Sequence, residues 1–218
     1  MKRKIVTKLM AIVLAGVLLT GSVTPGFHMS RVQAAEDLFN TRYDFNFEDG
    51  IEGWYYGEGW EYQYNGAKPT LESDTENGRM KIAVDFSQDA DKNWSNIAAC
   101  WKSEEGIDLS GVTQISMDIW YETEKLTEGE LKLAFYSNCG IDVNTSLIDV
   151  QEEEGTGLTK ARAVFGFPAI GSDAVTDLAV KIVGCNTGYS GAVWIDNIQF
   201  EAKDSETGDE SEQPDTSV

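Results

Sequence analysis

The sequence predicts an all-β protein, a β-sandwich of jelly-roll type in a single domain, and three observations predict it. Apolar and polar residues alternate in five separate segments, turn-forming clusters part those segments, and no window carries a helical period of useful length. RMKIAVDF sets Met80, Ile82, Val84 and Phe86 on one face against Arg79, Lys81 and Asp85. ISMDIWYE sets Ile115, Met117 and Ile119 against Asp118 and Trp120, and LKLAFYSN sets Leu131, Leu133 and Phe135 against Lys132, Ala134 and Tyr136. ARAVFGF follows the same rule, and DLAVKIVG aligns Leu178, Val180 and Ile182. ENG, DLSG, TEGE and NTGYSG supply the turns. About eight to ten short strands in one domain close most readily as two packed sheets.

The two ends differ in composition from this middle. Residues 1–34 have a basic start (Lys2, Arg3, Lys4, Lys8), an apolar run from Leu9 to Leu19, and small residues ending at Val32-Gln33-Ala34. That order predicts a cleavable signal peptide and a secreted, extracellular protein. The run is shorter than the roughly 20 residues that a membrane span needs. The folded part is expected over 40–202, and residues 203–218 read as a disordered acidic linker or tail.

Removing the leader takes five of the 17 Lys and Arg and none of the 37 Asp and Glu, which leaves 184 residues with 12 basic and 37 acidic side chains, a net charge of −25. Such a chain repels nucleic acid and anionic membranes. The sole histidine, His28, leaves with the leader, so the remainder offers neither serine–histidine catalysis nor histidine-ligated zinc. The three cysteines, Cys100, Cys139 and Cys185, fit no zinc spacing; they are either a Cys139–Cys185 bridge with one thiol over, or three buried free thiols.

Aromatic residues concentrate in GWYYGEGWEYQYNG, Gly53 to Gly66, which holds two tryptophans and four tyrosines. An indole or phenol ring can cover the apolar C–H face of a sugar while polar neighbours bond its hydroxyls. In an extended segment Trp60, Tyr62 and Tyr64 share a face, and Trp120 and Tyr136 sit opposite the apolar face of their strands. Trp94 lies in the polar DKNWSN. Trp54, in the GxxGW pattern, is either a plug for the sandwich end or a ligand platform, Trp101 shares the parity of Ile97 and Ala99 and is expected inside, and Trp194 is open to either role. The candidate ligand-binding residues are therefore Trp54, Trp60, Trp94, Trp120, Tyr136 and Asn96, with Asp118 and Lys132 as further hydrogen-bonding neighbours.

DFNFEDG brings Asp44, Glu48 and Asp49, and VWIDNIQF brings Asp196 and Asn197. The first and last strands of a jelly roll often adjoin, so Asp44, Glu48 and Asp196 could gather hard oxygen ligands for a structural calcium, or they are ordinary turn acids. The apolar phase slips between Ile195 and Ile198, as at a β-bulge. DADKNW begins like an EF-hand loop but has Trp94 where glycine is needed and Cys100 where the bidentate glutamate belongs, which rules it out. No compact pair of carboxylates marks a glycosidase, and Glu104, Glu105 and Glu152 to Glu154 read as solvated turn charge.

FNFEDGIEGW, KNWSN and above all VGCNTGYSGAVWIDNIQF resemble bacterial carbohydrate-binding modules, most closely the mannan-binding modules of families 27 and 23 that accompany secreted β-mannanases. The likeness extends over nearly all of 40–202. It implies a non-catalytic β-sandwich with structural calcium near its paired termini, a tryptophan-lined groove, and β-1,4-mannan, glucomannan or galactomannan as ligand. Asp196 and Glu48 match the family's C-terminal and N-terminal calcium ligands. A mannanase catalytic domain would be the natural partner. The rival readings are a jelly-roll glycoside hydrolase or lyase working through carboxylates, and a cell-surface protein-interaction module.

Overall fold

Twelve strands and one short 3-10 turn account for the regular structure in the computed structural model, which describes residues 39–171 and 174–203. The expected signal peptide, 1–34, and the expected tail, 203–218, except for Lys203, which ends the last strand, lie outside the described residues. Among those described, no helix is long and apolar enough to cross a membrane.

The strands are β1 (Phe39–Phe45), β2 (Tyr55–Tyr56), β3 (Thr70–Asp74), β4 (Arg79–Asp85), β5 (Ser95–Ile107) and β6 (Val112–Glu122), then β7 (Glu130–Ser137), β8 (Ile141–Ser146), β9 (Ile148–Glu153), β10 (Leu158–Gly166), β11 (Val175–Cys185) and β12 (Ser190–Lys203). They form two antiparallel sheets. The larger has the order β3-β4-β12-β6-β10-β9, with β1 also paired to β12; the smaller is β2-β5-β11-β7-β8. No segment read as a strand from sequence covers β3 or β8, nor β2, which is only two residues long, nor β9, whose residues are almost all exposed and so carry no alternation.

Period-2 alternation decides what each strand buries. In β4 every second residue (Met80, Ile82, Val84) is buried, and in β7 Leu131, Leu133 and Phe135 face inward. These side chains meet Leu178, Val180 and Ile182 of β11 and Ile115, Met117 and Ile119 of β6 in one continuous core between the sheets. Trp101 joins that core, as its parity predicts.

The phase slip in VWIDNIQF is a bulge. The register of β12 against β6 shifts between Asp196 and Gln199, and Asn197 takes φ 51°. The additional residue lets Val193 and Ile195 before it, and Ile198 and Phe200 after it, all point into the core.

All three cysteines are free thiols; Cys100 and Cys185 are buried and Cys139 is exposed. The Cys139–Cys185 bridge does not form because the two belong to opposite ends of one strand pair. Cys185 is registered with Glu130 at the start of β7, whereas Cys139 lies just past Ser137 at its end. Seven strand steps are roughly 23 Å, and a disulfide needs Cα atoms closer than about 7 Å.

Candidate functional site

The outward face of the smaller sheet is built from small residues. Its cross-strand rows run Tyr55–Cys100–Ala179–Tyr136–Asp142, then Ala98–Lys181–Ala134–Asn144, then Asn96–Val183–Lys132–Ser146. Ala98, Cys100, Ala134, Ala179, Val183 and Cys185 point away from the core and are nevertheless buried. They are covered by aromatic rings: Tyr136 packs on the Ala98, Cys100 and Ala179 cluster, and Trp94 packs on Ala134, Val183 and Cys185. The result is a shallow apolar floor with rings laid over it. Burial pushes the Cys100 thiol up to about 11 against the opposing pull of Lys181, so that part of the floor is uncharged at neutral pH.

Trp60 reaches this face from the segment after β2. Gly57 fastens that segment to β5: its N–H donates to the Ala98 carbonyl at 2.9 Å, and a Cβ there would sit 2.3 Å from the Cys100 sulfur. Only glycine permits so close an approach. The indole of Trp60 then meets Tyr136 edge-on at 4.9 Å between ring centroids, with the Lys181 ammonium 5.7 Å from its centre. It stays 39 % exposed, while Tyr55 and Tyr62 expose about half of their surfaces beside it.

Asn96 lies under these rings. The Trp94 Nε1–H donates to Asn96 Oδ1 at 3.1 Å, and Asn96 Nδ2 donates to the Trp60 carbonyl at 3.1 Å. Its backbone N–H and C=O pair with the backbone of Tyr62 at 3.0 and 3.1 Å. Charges on and beside this face are matched in pairs: Lys181 with Asp142 at 3.9 Å, Lys132 with Glu130 at 2.9 Å, and Lys102 with Asp177 at 3.4 Å. Glu130 holds Lys132 above the usual lysine range, and the Thr176 hydroxyl, ahead of Lys102, holds Asp177 below the usual aspartate range.

Of the six candidate ligand-binding residues, Trp60, Trp94, Tyr136 and Asn96 converge here and two do not; of their expected hydrogen-bonding neighbours, Lys132 lies on this face, whereas Asp118 lies on the larger sheet, paired with Lys160 at 2.9 Å. Trp54 is 1 % exposed, edge-on to Phe45 at 5.2 Å and to Phe47 at 6.5 Å. Of its two possible roles the structure leaves the plug, because no face of the ring is open to a ligand. Trp120 does point outward, but from the larger sheet, and its own protein covers it. The Arg79 guanidinium lies 3.7 Å from its ring centre and the Lys160 ammonium 4.8 Å, while its Nε1–H donates to Glu153 at 2.9 Å. At 3 % exposure it has no face left for stacking. Asn96, at 4 % exposure, turns its amide to the two tryptophan segments and not to solvent.

The three carboxylates expected at a metal are placed unequally. Burial pushes the Asp196 carboxyl up; the Asn197 N–H opposes this, and Asp118 and Glu48 are near enough to repel it, with Arg79 acting in the other direction. The Glu48 carboxylate abuts Gly78, where a Cβ would stand 3.4–3.6 Å from it. Asp44 is registered with Gln199, three residues beyond Asp196, and is exposed. Among the described residues no group of three or more His, Cys, Asp or Glu is arranged to hold a metal ion. Glu48 and Asp196 thus remain a pair of neighbouring donors, and Asp44 is not brought to them by the strand register.

Comparisons with known proteins agree with this architecture. Carbohydrate binding module 27 matches residues 32–203. The fold is similar to that of TmCBM27, a carbohydrate-binding module studied for specific mannan recognition, with 17 % identity and a TM-score of 0.58 over 77 % of this chain and 99 % of that one. It is similar to CBM27-1 of Caldicellulosiruptor saccharolyticus, solved with mannohexaose, with 17 % identity and a TM-score of 0.59 over 75 % and 98 % of the two chains. A non-crystalline cellulose specific module, CBM28, shares the fold at 16 % identity and a TM-score of 0.54 over 72 % and 92 %. No curated protein matches the chain. On the family match, which takes in both sheets and every residue of this face, the chain belongs to carbohydrate-binding module family 27, whose members are non-catalytic binding domains.

Proposed function

We propose that the outward face of the smaller sheet binds a neutral β-1,4-mannan-type chain (mannan, glucomannan or galactomannan), with Trp60 and Trp94 stacked on sugar faces and Tyr136 supporting Trp60. The observation that carries this reading is the convergence of Trp60, Trp94 and Tyr136 over a floor of small, buried, outward-pointing side chains. Such a floor lets a flat ring approach, and the rings cover C–H faces without any need for ligand charge. The paired lysines and acids are positioned to bond hydroxyls, and their pairing suits a neutral ligand better than an anionic one. Mannan is favoured among neutral polymers by the two family-27 relatives, one studied for mannan recognition and one solved with mannohexaose. Native affinity electrophoresis across soluble mannans, xylan and β-glucan tests it: retardation by the mannans is expected, and none by xylan. Retardation by xylan alone, or release of reducing ends from mannan, would overturn the reading.

Calcium is a separate proposal. Glu48 at the end of the first strand's segment and Asp196 at the bulge are the donors that would hold it, with backbone carbonyls completing the 6–8 oxygens it takes. A bound cation would relieve the repulsion among Glu48, Asp118 and Asp196 and tie the first strand's segment to the last strand. Chelation is expected to lower the thermal midpoint by several degrees, restored by calcium and not by magnesium; an unchanged midpoint would remove the metal from the account. Export is proposed from the leader-like residues 1–34, and service to a mannan-degrading catalytic domain from the ligand class.

A further inference from the structure

The proposed groove needs its two indoles held at a fixed spacing and tilt, and they come from segments 34 positions apart, Trp60 before β3 and Trp94 just before β5. Stacking gains little if each ring must be ordered only when the ligand arrives, because that ordering opposes binding. One side chain touches both segments. The Asn96 side chain accepts from the Trp94 indole with its oxygen and donates to the Trp60 carbonyl with its nitrogen, while the Asn96 backbone separately pairs twice with that of Tyr62.

The partners also fix which way the amide faces. An indole N–H can only donate and a peptide carbonyl can only accept, so the oxygen must face Trp94 and the nitrogen Trp60. A second tie lies nearby. The buried carboxylate of Asp89 accepts from the Asn65 N–H at 3.1 Å, from Asn65 Nδ2 at 2.6 Å and from the Ser95 hydroxyl at 3.0 Å. It fastens the same two stretches of chain but reaches neither indole. Asp89 therefore keeps the stretches together when Asn96 is altered, and the amide's own contribution can be read separately.

We propose that Asn96 is a positioning residue that aligns the Trp60 and Trp94 platforms for one ligand chain, without itself contacting the ligand; the inference rests on the groove reading above. The test is Asn96→Asp in the full chain, titrated with soluble galactomannan from pH 7 down to about 3.5. At pH 7 the carboxylate keeps the acceptor for Trp94 but turns an anionic oxygen to the Trp60 carbonyl, and affinity is expected to fall about tenfold. Once protonated, the carboxyl again offers one donor and one acceptor, and affinity is expected to return to within about twofold of wild type, while the wild-type chain sets the baseline across the same range. That baseline absorbs the charged groups on the surrounding segments, Glu58, Glu61, Asp89, Asp91, Lys132 and Lys181, which both chains carry.

Wild-type affinity at pH 7, or a loss that acid does not reverse, would overturn the proposal. Trp60→Ala is run alongside. If it abolishes binding while Asn96→Asp changes nothing, the positioning role alone falls; if Trp60→Ala binds normally, the groove reading falls and this inference with it. Should Asn96→Asp not fold, Trp94→Phe keeps a ring but deletes the N–H donor, and about a threefold loss is expected, with unchanged affinity counting against the proposal.

Discussion

Trp60→Ala is expected to abolish measurable retardation by soluble mannan while leaving the fold intact. The ring is 39 % exposed and rests edge-on against Tyr136 on the outward face of the smaller sheet. Aromatic anchors of this kind typically account for about 2–4 kcal/mol of a binding free energy, equivalent to roughly 30- to 1000-fold in affinity. Its removal opens no core cavity, so the denaturation midpoint should shift little. The measurement is affinity electrophoresis or calorimetry beside a denaturation curve. Unchanged binding would show that the ligand lies elsewhere. Trp120→Ala is the matched control: it deletes an indole of equal size from the larger sheet, held by Arg79, Lys160 and Glu153, and should leave mannan affinity as it was.

The opposite result is expected for Trp54→Ala: a loss of about 3–5 kcal/mol of stability with ligand affinity per folded molecule unchanged. Trp54 fills the space between Phe45 and Phe47, and small side chains cannot collapse into a hole of that size. For a domain of this length each kcal/mol moves the thermal midpoint by about 2–4 °C, so a drop of about 6–20 °C is anticipated. Trp54→Phe should cost far less, because the native indole Nε1–H is buried without a hydrogen-bond partner and its removal offsets part of the lost packing. A Trp54→Ala protein as stable as the parent, or one that no longer binds although folded, would contradict this assignment.

The strands were readable because burial on one face imposes alternation, and β4, β6, β7, β10 and β11 all obey it. The bulge at Asn197 was readable for the same reason, as a break in that alternation. The site was only partly readable. Parity told that Trp120 and Tyr136 point away from the core, but not from which sheet, since sheet order is set by pairings between strands far apart in sequence. Nor could it show that Arg79 and Lys160, from β4 and β10, would close over Trp120. Trp54 lies in a turn-rich segment, where no period distinguishes inside from outside.

The missed signal was in the strands themselves. In IAAC, LAFY and AVKIVGC the outward positions hold Ala98, Cys100, Ala134, Ala179, Val183 and Cys185, where a solvated strand would have charged or hydroxylated residues. Small apolar residues at outward positions of adjacent strands imply that something rests on them. Compare the outward positions of β4, β6 and β10, which carry Arg79, Lys81, Asp118, Lys160 and Arg162. Asn96 could not be recognised as a strut, because its partners are reached over 36 residues in one case and through a side-chain nitrogen in the other.

Phe39 and Lys203 lie opposite one another at the outer ends of β1 and β12, both in the larger sheet, while the rings decorate the smaller one. The chain therefore enters and leaves the domain at one place on the larger sheet. A circularly permuted chain rejoined by a short bridge between Phe39 and Lys203 would leave the ring-bearing face of the smaller sheet unobstructed.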